Sequence, residues 1–165
     1  MKVREIMAKE PKCCGLDANL ATATELMWKN DCGALPVVDD GKLAGIITDR
    51  DVCIALGTRN RAAAEIAVKD VATRELQTCT ANDDVSAAMA TMRRAKVRRL
   101  PVVSDGGKIA GIVALNDLVL AASRKRFEID YDEVMNTIQA VSEHRGRKPA
   151  EPEKLKFPPI PVAVA

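Results

Sequence analysis

The chain repeats itself. Gly45-Ile46-Ile47-Thr48-Asp49-Arg50-Asp51 returns as Gly111-Ile112-Val113-Ala114-Leu115-Asn116-Asp117, and Leu35-Pro36-Val37-Val38 returns unchanged as Leu100-Pro101-Val102-Val103. A period of about 65 residues holds one supersecondary unit. Such a unit carries a small sheet with one apolar face and too few residues to cover it, so two units must bury each other's faces. This constrains the fold more than any other feature of the sequence.

Each copy follows the same order. In the first, Val3-Arg4-Glu5-Ile6-Met7 is a short helical lead-in and Cys13-Cys14-Gly15-Leu16 a short strand. Asp17 or Asn19 caps a helix whose Leu20, Ala23 and Met27 share one face at helical spacing. Residues 34–38 form a buried strand in which Pro36 predicts an edge or an irregular start. Asp39-Asp40-Gly41 is a hairpin turn, residues 42–47 the returning strand, and residues 49–56 a helix that Gly57 stops. After a polar linker the second copy follows. Val68-Lys69-Asp70-Val71 is its lead-in, Leu76-Gln77-Thr78-Cys79 its short strand, and Asn82 or Asp83 the cap of the next helix. Val85, Ala88, Met89 and Met92 make that helix's apolar stripe, residues 108–113 the returning strand and residues 115–123 the last helix.

The expected fold class is α+β, mixed: two β-α-β-β-α units in pseudo-twofold pairing, plus a C-terminal helix and tail. The expected division is a first unit at 1–60, a second at 61–123, a helical extension at 124–145 and a Pro-rich flexible tail at 146–165. Within the extension, residues 132–144 read as an amphipathic helix with Val134, Ile138 and Val141 as its apolar edge. The tail contains Phe157-Pro158-Pro159-Ile160-Pro161-Val162, apolar enough to lie extended on a neighbouring surface.

Composition narrows the function. Hydrophobic residues make up 47% and aromatics 2%, so the core is aliphatic and base stacking has few platforms. No apolar run reaches membrane-spanning length and the N-terminus lacks a signal-peptide core, so no membrane partner and a cytoplasmic location are expected. The five cysteines are odd in number and contain no Cys-x-x-Cys, which argues against a disulfide framework or a zinc site. Small buried thiols are the expectation. The lone His144 is far from every cysteine in sequence, and no nucleophile–base–orienter set is recognisable, so the chain is not expected to be an enzyme.

The repeated motif carries the candidate chemistry. Thr48-x-x-Asp51 places a hydroxyl and a carboxylate at the mouth of a helix, where unpaired N–H groups and the dipole favour anions. A phosphorylated ligand fits such a mouth, with Asp51 accepting from sugar hydroxyls. The same spacing is a capping box, which needs no ligand, and local sequence alone favours the cap. Met92-Arg93-Arg94-Ala95-Lys96-Val97-Arg98-Arg99 packs five basic residues into eight positions. Arg93, Arg94 and Lys96 read as a solvated helix end, where cations suit the dipole. Arg98 and Arg99 lead into a strand and point to opposite sides of it. Nucleic-acid binding by this cluster is disfavoured, because the net charge is only +2 and aromatics are scarce.

Taken together, the matched pairs Leu35-Pro36-Val37-Val38-Asp39 with Gly45-Ile46-Ile47-Thr48-Asp49-Arg50-Asp51, and Leu100-Pro101-Val102-Val103 with Gly111-Ile112-Val113 and Asp117, resemble a tandem pair of cystathionine β-synthase (CBS) domains over roughly residues 1–122. The resemblance implies a non-enzymatic regulatory sensor that binds AMP, ADP, ATP or S-adenosylmethionine in the cleft between units. It implies phosphate contact by Thr48 and ribose contact by Asp51, with Arg50 inside the same motif. It places Arg98 and Arg99 opposite the phosphates, and Gln77 and Val97 beside the adenine. No cofactor is required, and magnesium would come only with ATP. A homodimer and a separate effector protein are implied. The second cleft departs from the pattern: Ala114 replaces the hydroxyl residue, Asp117 remains, and its cross-unit positions Gly33 and Ala34 carry no charge. That cleft is expected to bind phosphate poorly. The rival reading is a structural or protein-interaction CBS module that binds no ligand.

The helices after each motif also carry apolar residues on more than one side: Val52, Ile54, Ala55 and Leu56 in the first, Leu115, Leu118, Val119, Leu120 and Ala121 in the second. A helix with one buried face does not need this, and a dimer contact would cover the excess.

Overall fold

The computed structural model describes residues 1–123 and 129–143. The first unit runs β2 (Cys14–Gly15), α1 (Leu20–Lys29), β3 (Ala34–Asp39), β4 (Lys42–Thr48) and α2 (Asp49–Arg59). The second runs β5 (Cys79–Thr80), α3 (Val85–Ala95), β6 (Arg99–Val103), β7 (Ile109–Ala114) and α4 (Leu115–Ala122). A two-residue strand, β1 (Ala8–Lys9), precedes them, and α5 (Tyr131–Ser142) follows. One sheet has the order β2-β3-β4 and the other β1-β7-β6-β5.

The two cores do not follow the repeat boundaries. The lead-in of each unit crosses to the other. Val3 is buried in the second core among Met89, Met92, Leu100 and Leu118, while Ile66 and Val68 are buried in the first among Leu20, Leu35 and Ile47. Backbone bonds fasten each crossing. Val3 N donates to Asp83 O and Arg4 N to Ala81 O, both at 3.0 Å, whereas Val68 N donates to Ala18 O at 2.8 Å and Lys69 N to Leu16 O at 3.0 Å. β1 then pairs antiparallel with β7, and Thr73 bridges to Ile46 of β4.

These pairings account for the glycine of the repeated motif. A Cβ on Gly111 would lie 2.9 Å from Ala8 O and 2.7 Å from Met7 Sδ, and one on Gly45 would lie 3.2 Å from Thr73 O. Each glycine is where the other unit's lead-in crosses a returning strand at close range.

Pro36 and Pro101 occupy the middle strands of their sheets, not edges. The short parallel neighbours begin one residue later, pairing Cys14 with Val37 and Cys79 with Val102. The missing proline donor is therefore on a side where no strand yet runs. The first hairpin closes through Asp40 (φ +45°) and Gly41 (φ +75°), the two positive angles of a tight two-residue turn.

Some element ends differ from the sequence reading. Gly57 is inside α2, and Asn60, left-handed at φ +48°, ends the helix. Asn19 caps α1 by accepting from Thr22 N. The residue at the N-cap of α3 is Asp84, whose side chain instead meets Lys2 at 2.9 Å, while Asp83 accepts from Thr80 N and Oγ1 and so ties down the end of β5.

The helix α5 packs on its own chain, across α3 and α4, with Val134 and Val141 buried in the second core. Arg93 and Lys96, read as a solvated helix end, hold this helix. Arg93 Nη1 donates to Thr137 Oγ1 at 2.7 Å and Lys96 Nζ to Glu143 Oε2 at 2.9 Å. Glu133 also accepts from Ser86 Oγ at 2.9 Å. The tail, and His144 with it, lies outside the described residues.

Candidate functional site

The first helix mouth is formed where β4 turns into α2. Thr48 is the N-cap, in extended conformation, and its Oγ1 accepts from Asp51 N at 3.2 Å. Thr48 N and Thr48 Oγ1 donate to Asp51 Oδ2 at 2.9 and 2.6 Å. All of these contacts fall on one carboxylate oxygen. Asp51 Oδ1 accepts no hydrogen bond among the described residues, so a second acceptor remains at a half-buried position. The capping box is thus real, and it does not use up the carboxylate.

The second mouth has the same frame with less chemistry. Ala114 N donates to Asp117 Oδ2 at 2.8 Å, but Ala114 has no hydroxyl to complete the exchange. Burial pushes the Asp117 carboxyl above its ordinary range, opposed by the bond from Ala114 N–H.

Arg99 joins the two units. Its backbone is the first residue of β6, paired with Ala114 at the second mouth. Its Nη2 lies 3.4 Å from where a Gly33 Cβ would be, and Asp49 Oδ2 lies 2.9 Å from the same point. Gly33 precedes Ala34, which pairs with Thr48, and Gly33 O accepts from Asp49 N at 3.3 Å. The guanidinium therefore stands beside the first mouth while the backbone belongs to the second. The bareness of Gly33 admits this crossing.

The other sequence candidates divide. Arg98 is exposed, and its carbonyl accepts from Leu115 N at 3.0 Å. Arg50 and Gln77 are exposed as well. Val97 is half-buried and leans on the second core. Asp49 was not among the candidates, although it faces Arg99 across Gly33. Its signal was available in the sequence, because its counterpart in the repeat is the apolar Leu115. No cluster of His, Cys, Asp or Glu among the described residues could hold a metal ion, and no helix among them is long and apolar enough to cross a membrane. All five cysteines are free. Cys14 and Cys79 are buried, and Cys53 is exposed, against the expectation of burial.

On α2 and α4, Val52, Ala55, Leu118 and Ala121 face inward, and Ile54, Leu56, Val119 and Leu120 are exposed. Leu118, counted from sequence among the surface excess, is fully buried.

Comparison with known proteins agrees with this architecture. The family model for the CBS domain matches twice, over residues 3–58 and 68–124. The CBS domain-containing protein YhcV of Bacillus subtilis (strain 168) is 32% identical over 118 residues, covering 72% of this chain and 83% of that protein. The inosine-5'-monophosphate dehydrogenase of Mycobacterium tuberculosis (strain H37Rv) is 35% identical over 114 residues, 68% of this chain, but the match spans only 21% of that enzyme. Among solved structures, the CBS domain pair of protein MJ0100, in complex with 5'-methylthioadenosine and S-adenosyl-L-methionine, superposes with a TM-score of 0.67. It is 27% identical and covers 73% of this chain and 94% of that one. CBSX2 in complex with AMP gives a TM-score of 0.64 at 25% identity, covering 73% of this chain and 95% of its own. The chain belongs to the CBS domain family and carries two CBS units.

Proposed function

We propose that the chain is a non-enzymatic regulatory module that binds an adenosine phosphate at the mouth of α2, between its two units. The observation that carries this reading is the Arg99 guanidinium of the second unit standing beside Gly33 and Asp49, at the start of the helix whose mouth Thr48 and Asp51 form. A helix N-terminus, a hydroxyl and a guanidinium supply donors for phosphate. Asp51 Oδ1 supplies the acceptor for ribose hydroxyls. That AMP and S-adenosyl-L-methionine are bound by related pairs supports the same ligand class here. Arg50 and Arg98, exposed near the cleft, would meet the outer phosphates of a longer chain, and magnesium would accompany ATP. Val97 and the backbone near Gln77 would border the base.

The two mouths should behave differently in calorimetry with AMP, ATP and S-adenosylmethionine. Asp51→Ala removes charged hydrogen bonds worth about 1.5–3 kcal/mol each, so affinity should fall at least tenfold. Asp117→Ala, at the mouth that lacks a hydroxyl, should leave the strong site intact. Equal affinity for wild type and Asp51→Ala would sink the proposal and leave the module a ligand-free interaction unit.

The exposed Ile54, Leu56, Val119 and Leu120 support a homodimer formed through α2 and α4, which would transmit the ligand's effect to a separate effector protein. Leu120 is 57% exposed, so Leu120→Asp tests the contact without touching the core. Light scattering should show a micromolar dimer for wild type and a monomer for the variant. A wild-type monomer at that concentration would remove the dimer.

A further inference from the structure

On the second unit, a helix of the chain itself lies across α3 and α4. The matching face of the first unit carries a groove of about 360 Å³ between α1 and α2, with Met27, Cys32 and Val52 on its floor. In the repeat these three correspond to Met92, Val97 and Leu118, which share a core with Val134 and Val141 of α5. Both floors are therefore apolar, and one of them shows what such a floor receives.

The rims carry opposite charge. On the second unit, Arg93 Nη1 donates to Thr137 Oγ1, Arg93 Nη2 lies 3.5 Å from Glu133 Oε1, and Lys96 Nζ donates to Glu143 Oε2. The counterparts of Arg93 and Lys96 are Trp28 and Asp31. Asp31 and Lys96 share the left-handed backbone, at φ +48° and +51°, so the two rims present opposite charges from the same turn. Asp49 adds a second carboxylate where the second unit has Leu115. Among the described residues, neither Asp31 nor Asp49 makes an ion pair.

This charge selects the occupant. The α5 of another copy would bring Glu133 and Glu143 against Asp31 and Asp49, and like charges across a contact exclude a partner. A helix with the same apolar stripe and basic flanks is attracted instead. Trp28, 86% exposed at the edge of the apolar floor, adds a large apolar face that also receives cations.

We propose that the α1/α2 groove docks an amphipathic helix of another protein, laid as α5 lies on α3 and α4. Its apolar stripe covers Met27 and Val52, and it carries lysine or arginine where α5 has Glu133 and Glu143. The first unit is thus completed by a partner and the second by its own chain. Such a partner fits the effector of the proposed function. The docking is tested without nucleotide, so either reading can fail alone.

The probe is α5 with its charges reversed: a synthetic peptide of residues 129–143 carrying Glu133→Lys, Thr137→Leu and Glu143→Lys. Thr137 meets Arg93, whose counterpart is Trp28, so a leucine there faces the indole. Trp28 is the only tryptophan of the chain, and the peptide has none, so indole fluorescence reports on this groove. On adding the reversed peptide to the full-length protein, emission should move to shorter wavelength and acrylamide quenching should fall. The unmodified peptide should change neither. Asp31→Lys should weaken the reversed peptide several-fold, and lysine is accommodated at the matching left-handed position by Lys96. No response to the reversed peptide, or an equal response to both peptides, would overturn the proposal. Indole shielding that appears when the protein alone is concentrated would also overturn it, by assigning the groove to a second copy.

Discussion

At the end of α1 the chain carries Trp28 and Asp31; at the matching turn of α3 it carries Arg93 and Lys96. Around these residues the two units share sheet, hairpin and crossing lead-in. The helical faces nevertheless meet different fates, because two cations receive α5 and the aromatic–carboxylate pair does not. The mouths diverge in the same way. One backbone frame holds Thr48 and Asp51 in the first unit and Ala114 and Asp117 in the second, so one side chain separates a mouth with a hydroxyl from one without. The repeat conserves what folds each unit, and the differences between copies fall at the positions that meet something else.

The largest expected effect tests the unequal cover of the helices. Met92 lies fully buried beneath α5, and Met92→Ala should cost about 2–5 kcal/mol of unfolding free energy. Met27, its counterpart, borders the open groove, so the space left by Met27→Ala opens to water and the loss should fall at the low end of that range. Denaturant midpoints check both. Equal large losses would mean that the first groove is closed in solution.

A smaller effect tests the two crossings. Gly111→Ala drives a Cβ against Ala8 O, a backbone atom, and should cost about 1–3 kcal/mol, as overpacking does. Gly45→Ala meets Thr73 O at 3.2 Å, which requires a shift of only a few tenths of an ångström, and should cost less. Thermal melts that rank the pair in the opposite order would break this account of the crossings.

The smallest effect concerns a position where the copies should agree. Cys14 and Cys79 open the short parallel strands of the two units. Burial pushes both thiols up to about 11, helped by Cys13 near Cys14 and by Asp83 near Cys79. The free thiol titrates near 8.5. A raised folded value means that stability from the neutral thiols is complete below about 8.5 and is lost as pH rises through about 11. Native-state alkylation at pH 8 should therefore leave both thiols unmodified while the exposed Cys53 reacts, and stability should decline only on the alkaline side. Rapid labelling of either buried thiol at pH 8 would contradict this.

Much of the fold was legible along the chain. Apolar spacing put Leu20, Ala23 and Met27 on one helix face, and all three are buried. The repeated motif located both returning strands, both hairpins and both helix mouths, because capping and turn chemistry act within a few residues. Thr48 and Asp51 could be paired from their spacing alone. Arg99 could only be placed near them through a family resemblance, since its partners Gly33 and Asp49 lie far away in sequence.

The sequence by itself determined the two-unit pattern, the hairpin strands and the helices of each copy, and the presence of a hydroxyl at one mouth and not at the other, but not β1. These rest on local periodicity and on single side chains. The tertiary structure alone decided which core each lead-in enters. Val3 and Val68 have the same local pattern, and only the partner strand within reach distinguishes their sites. It also decided that α5 covers its own chain, that Leu118 points inward while Leu120 points out, and that Arg99 spans both units. In each case the deciding contact joins residues remote in sequence, which local propensity cannot specify.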